Sequence, residues 1–218
     1  MEKYLFTIQN VETGKLNALV NNIMKQTGIK DPNEAIRLVN SGEWTLIGPV
    51  CTWTEKDGVI RFSVTSDGAS GEQWSARLES KSFRVNDYAK SILRSESFKP
   101  TSGVTTEIAV LKAKIFSDND RITENIRKVA KKRNLSAPNA EVACLIREKF
   151  SDKELEAMGL YWIVAMHEQI EDYEGDLRLL YADRGDSGAW LHTSDGSPDR
   201  EWDCGRGFAF VVSQVSNS

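Results

Sequence analysis

The stretch "VCTWTEKDGVIRFSVTSDG", residues 50–68, limits the possible folds more than any other part of the chain. Two β-rich runs flank Asp57-Gly58, a dipeptide that readily takes the left-handed backbone of a two-residue hairpin turn. A chain with such a unit contains antiparallel pairing, and the apolar face of its sheet needs a cover. Helical periodicity supplies the covers. "VETGKLNALVNNIMKQTG" sets Leu16, Leu19, Val20 and Ile23 at helical spacing and stops near Gly28. In "DPNEAIRLVNSGE", Asp31 suits an N-cap, Pro32 the first helical position and Gly42 the stop. Two amphipathic helices are expected near 70–82 and 85–95, through Trp74, Leu78, Tyr88, Ile92 and Leu93.

After "SESFKPTSG" (95–103), a linker by its Pro, Gly and Ser content, a strand is expected over 104–116. Helices are expected over 118–135, 137–150 and 151–159. The tail then turns to strands: "LYWIVAMHE", "DLRLLYAD", "GAWLHT" and "GFAFVVSQV". With the early runs "KYLFTIQ" and "EWTLI", these elements lack the regular alternation of a parallel α/β sheet. The fold class is therefore α+β, with mixed helices, a largely antiparallel sheet and a C-terminal β meander packed on helices over one face. The linker divides the chain into α+β subdomains at 1–98 and 99–218, with a single domain as the alternative.

Charge narrows the partners. The chain carries 28 basic and 32 acidic residues, and residues 159–218 alone hold 4 basic against 11 acidic. This balance argues against a nucleic-acid partner. Three cysteines, Cys51, Cys144 and Cys204, lie far apart without a CxxC pair, which suits a reducing cytoplasm. No secretory signal and no run long enough to cross a membrane can be read, so a cytoplasmic protein with no membrane partner is expected. "KDGVIRFSVTSDG", "KPTSGVTTEIAVLK" and "PNAEVACLIREKF…MGLYWIVAMHE" resemble an uncharacterised family of bacterial conserved-hypothetical proteins. That resemblance implies a bacterial, cytoplasmic origin. It carries no activity and no catalytic residue.

Five stretches hold candidate chemistry. Residues 122–150 read as a helix-turn-helix whose first helix bears Arg127, Lys128, Lys131, Lys132 and Arg133, although its second helix offers a poor base-reading end. Asp172, Glu174 and Asp176 alternate as in a calcium loop, but Gly175 and the missing terminal acid break that pattern. "RGDSGAW" (184–190) contains the GDSG of a serine-protease nucleophile, yet His167 precedes Ser187 too closely for that family's order. Turn chemistry is the simpler reading. His167, His192 and Cys204 offer weak metal ligands or a thiol nucleophile with its base. Trp190 and Trp202 flank a polar loop containing Asp195 and Arg206, a candidate binding face.

No phosphate-cradling glycine loop or metal quartet is present in the sequence, and no cofactor is implied. The leading reading is a non-catalytic intracellular protein that binds a protein partner or itself through 168–176 and 184–206. The alternatives are a metal- or thiol-dependent hydrolase-like enzyme using His167, His192 and Cys204, and a DNA-binding regulator using 122–150.

Overall fold

The computed structural model describes residues 20–25, 27–43, 52–185 and 188–212. The chain divides into two compact units, Met1–Cys51 and Thr52–Ser218. The early strands "KYLFTIQ" and "EWTLI", Leu16, Leu19, Cys51 and Ser187 lie wholly or almost wholly outside the described residues, Glu43 excepted. In the first unit, α1 covers residues 20–25 and α2 covers Pro32–Asn40. As the sequence indicated, Asp31 Oδ1 accepts from the Asn33 backbone N–H at 3.0 Å, and Gly42 leaves the helix at φ 76°. Ile23 and Ala35 are buried.

The second unit is an α+β fold on one mixed sheet. The 57–58 hairpin forms as expected: β1 (Thr54–Lys56) pairs with β2 (Val59–Asp67), and Asp57 and Gly58 hold φ of 52° and 71°. Helices α3 (Gly71–Ser80) and α4 (Asp87–Arg94) flank the short β3 (Arg84–Val85). Each helix starts on a side-chain cap, Ser70 with a capping box for α3 and Asn86 for α4. Then come β4 (Ser102–Lys112), α5 (Thr123–Lys132), β5 (Leu135–Ser136), α6 (Glu141–Lys149) and α7 (Asp152–Ala157). The tail supplies β6 (Trp162–Ala165), β7 (Ile170–Glu171), β8 (Leu177–Gly185), β9 (Gly188–Asp195) and β10 (Arg206–Val212).

The sheet runs β1-β2-β4-β10-β6-β8-β9-β3, with β5 on β10 and β7 on β8. Pairing is antiparallel except between β10 and β6 and between β3 and β9. Three expectations are corrected here. The meander holds only for β6, β8 and β9, because β10 leaves β9 and inserts between β4 and β6. Residues 95–103 are not a loose linker. The buried carboxylate of Glu141 accepts from the Thr101 backbone N–H at 2.8 Å and from the Trp74 indole at 3.2 Å. Residues on both sides of position 98 thus share one sheet, since β2 pairs with β4.

Third, helices cover both faces rather than one. Ile60, Phe62, Ile108, Val110, Ile163, Ala182 and Leu191 form a core with residues of α3, α4, α6 and α7. The alternate residues Ala109, Leu111, Val164, Leu179, Phe208 and Phe210 face Ile126 and Ala130 of α5. This separation removes the helix-turn-helix. The two helices sit on opposite faces, and α6 buries Glu141 through Arg147 without a break, so it has no free side for a groove. No described helix is long and apolar enough to cross a membrane.

Candidate functional site

Parallel strands need a crossover, and the connection from β9 to β10 is one. The stretch 196–205 is a strap lying over the start of α5. Ile122 gives α5 no side-chain cap, so carbonyls of the strap take the first N–H groups: Arg200 O accepts from Thr123 at 3.1 Å and Pro198 O from Glu124 at 2.9 Å. Trp202 locks the strap. Its indole donates to Thr123 Oγ1 at 2.9 Å, its ring packs edge-on to Phe208, and only 4% of the residue is exposed. Trp202 is therefore a core anchor and offers no surface to a ligand. Asp195 is exposed and accepts from the Ser197 backbone N–H and hydroxyl, both at 2.8 Å, which makes it a turn former.

The strap returns to the sheet at Arg206, which begins a row across five strands that starts within the α5-covered cluster, through Trp162 and Tyr181, and runs out to the sheet edge at Arg84. Arg206 stands opposite Trp162, with its guanidinium 3.3 Å from the ring centroid and a 2.8 Å bond to Asp203. Trp162 stacks on Tyr181 at 4.2 Å, and Tyr181 on His192 at 5.4 Å. Trp190 then breaks the stack, inclined 61° to His192 at 6.0 Å, and the Arg84 guanidinium lies 5.2 Å over the Trp190 ring. Asp183 belongs to the same face, opposite both Trp162 and Trp190. Strand alternation explains the set: Tyr181 and Asp183 share one side of β8, while Leu180 and Ala182 enter the core on the other.

Electrostatics single out Asp183. Burial raises its pKa above the usual carboxylate range, partly offset by the charges of His192 and Arg206 and by the Trp162 indole. Its buried Oδ1 has no hydrogen-bond partner. Burial also raises the Tyr181 pKa, so the phenol stays neutral. Beneath the row, the fully buried Arg147 donates to the Asp183 carbonyl at 2.7 Å and to the Phe150 carbonyl. Asn86 holds the edge from the other side, since it caps α4 through Oδ1 and places its amide nitrogen 3.3 Å from His192 Nδ1.

The other candidate residues are dispersed. His167 is buried between backbone groups: Nδ1–H donates to Glu168 O at 2.6 Å, and Nε2 accepts from Leu180 N–H at 2.9 Å. Desolvation pushes its pKa down to about 4, so the ring is a neutral structural link with both nitrogens occupied. Cys204 is an exposed thiol just before β10, three strands from the His192 strand, or about 14 Å. The trio of His167, His192 and Cys204 is not assembled. Among the described residues no group of three or more His, Cys, Asp and Glu side chains is placed to hold a metal.

The acidic loop is likewise self-contained. Asp172 accepts from the Glu174 and Asp176 backbone N–H groups at 2.9 and 3.1 Å and from Arg178 at 2.9 Å. A calcium ion would have to displace that arginine. Sequence reasoning found Trp190 and Arg206 but missed Arg84, Trp162, Tyr181 and Asp183. The one available signal was the period-two pairing of Tyr181 with Asp183 and of Trp190 with His192. No protein-family model matches the sequence, and comparison with curated proteins and with solved structures gives no match.

Proposed function

We propose that this is a non-catalytic binding protein whose contact surface is the Arg206–Trp162–Tyr181–His192–Trp190–Arg84 row. One observation carries the reading. On a sheet otherwise lined by Ala, Val, Leu, Ile and Phe, a half-covered row of rings and charges surrounds a carboxylate oxygen that lacks a donor. That oxygen is enclosed by protein, so the surface a partner touches is the partly exposed Trp162, His192 and Trp190 rings and the exposed Arg84. Aromatic and arginine side chains are also the residue types that anchor contacts most strongly. The groups that would favour an enzyme are tied up, as in His167, or apart, as in Cys204 and His192. A cytoplasmic setting belongs to the same proposal, since Cys144 and Cys204 are both free thiols.

Native mass spectrometry of the protein purified from its own cells tests this reading. Wild type should carry a bound species or a second copy of the chain, and Trp190→Ala should lose it. An unchanged bound mass in Trp190→Ala, or a wild type that is monomeric and empty, overturns the proposal.

A further inference from the structure

We propose that the cleft between α5 and the 196–205 strap holds a short peptide by its C-terminal carboxylate, with Arg127 and Lys131 on the carboxylate and Gln169 on the peptide backbone. The cleft shares no residue with the row proposed above and stands independently of it.

The site begins at a fork in the sheet. Strand β6 ends at Ala165, and beyond it β10 takes β5 as its neighbour while β8 takes β7. There the carbonyls of Met166 and His167 are met by Arg127 of α5, whose Nη1 and Nη2 donate to them at 3.0 and 2.9 Å. Those bonds fix the guanidinium but leave its charge unopposed, because carbonyls are neutral and Arg127 enters no ion pair among the described residues. Burial lowers its pKa, and Glu168 offsets this from beyond ion-pair distance. A half-buried cation, held in place and not neutralised, is a receptor for an anionic group.

The surroundings select the anion. Arg127 lines a cleft of about 400 Å³ together with Lys131, Glu124, Lys128, Glu168 and Gln169. Glu124 holds Lys128 at 2.7 Å, whereas Lys131 is exposed and enters no ion pair among the described residues. Three cations against two carboxylates leave the lining one positive charge to spare. That balance suits a monoanionic carboxylate, whereas the second charge of a phosphate would be repelled by Glu168. Gln169 is half-buried, and its side-chain amide makes no hydrogen bond among the described residues. An amide donates and accepts as a peptide unit does, so the two are complementary.

The site also has length, which favours a chain over a compact ligand. Glu168 and Gln169 line a neighbouring cleft of about 380 Å³ beside Lys99 and Asn139. A peptide anchored at Arg127 can run past Gln169 into it, with the Glu168 carboxylate accepting from its N–H groups. Gly196 lets the strap close over this path. A Cβ there would fall 2.5 Å from Gln169 Nε2 and 2.7 Å from the buried Leu179 Cγ, closer than real Cβ contacts allow.

Isothermal titration of the full-length protein with trialanine, trialanine amide, acetate and inorganic phosphate tests the proposal. The recognised groups belong to the peptide backbone, so trialanine needs no particular side chain to report on them. It should bind roughly tenfold or more tightly than its amide, which loses the charge-assisted bonds. Acetate, which has no peptide unit, should bind more weakly than trialanine. Lys131→Ala, an exposed change, should weaken trialanine and leave the amide as it was. Gln169→Ala should weaken both, and each variant should keep the cooperative thermal melt of wild type. The proposal falls if wild type takes up no trialanine at millimolar concentration, or if the amide binds as well as the free acid. It falls equally if acetate or inorganic phosphate matches trialanine, or if both variants bind trialanine like wild type.

Discussion

The two faces of the sheet solve opposite problems with the same strands. On one face α3, α4, α6 and α7 cover a continuous apolar layer, and its rare polar group, Glu141, is saturated by Trp74 and Thr101. On the other, α5 and the 196–205 strap cover only part of the sheet. Beside them Tyr181 is buried, Trp162, His192 and Trp190 are partly exposed, and an enclosed oxygen of Asp183 has no donor. The covered face is not free of unpartnered atoms, since the buried Arg147 Nε has no partner, so the contrast lies in how much of each face is exposed. A face left incomplete is where a ligand can contribute.

Paired tryptophan substitutions put the largest effect against this contrast. Trp74→Ala, on the covered face, should cost about 3–5 kcal/mol in denaturant unfolding, because it opens a large cavity and removes a donor from Glu141. The buried His167 gives the next effect. Its pKa falls from 6.5 to about 4, so the folded state binds fewer protons than the unfolded state across that window. Stability is full above pH 6.5 and is lost as pH falls toward 4, by about 3 kcal/mol in all. Urea melts at several pH values should show the slope, and His167→Leu should abolish it from a lower starting stability.

On the open face the effects shrink. Trp190→Ala should cost about 1 kcal/mol in the same unfolding measurement, since the ring is half-exposed. A loss as large as that of Trp74→Ala would make the row ordinary core and end the contrast. Asp183→Asn should change stability least, and in the favourable direction. A raised carboxyl pKa means that the folded state holds the proton more tightly, so wild type gains stability as pH falls toward the ordinary carboxylate range and loses it as pH rises. The asparagine variant should therefore melt above wild type at neutral pH, with the gap closing on acidification. A lower melting temperature at neutral pH would show that Asp183 supports the fold.

Local physics made much of the fold legible. Asp57-Gly58 and the Asp31-Pro32 start act within a few residues, and each appears where the sequence placed it. The site was legible by halves. Alternation grouped Trp190 with His192, but nothing local joined them to Tyr181, Asp183 or Arg84, because cross-strand neighbours depend on sheet order. The same limit misread Trp202, which sits beside polar turn residues in sequence and beneath Thr123 and Phe208 in space.

By itself, then, the sequence determined the α+β class, the hairpin, the element types and the alternation that sorts each strand into two faces. These follow from backbone preferences and side-chain periods that operate over one or two turns. Only the tertiary structure decided that β10 crosses over to lie between β4 and β6, and that α5 and α6 part to opposite faces. It also decided that rings from three strands and two arginines meet beside Asp183. Those outcomes come from which apolar surfaces of separate elements bury one another, a competition that local preferences do not enter.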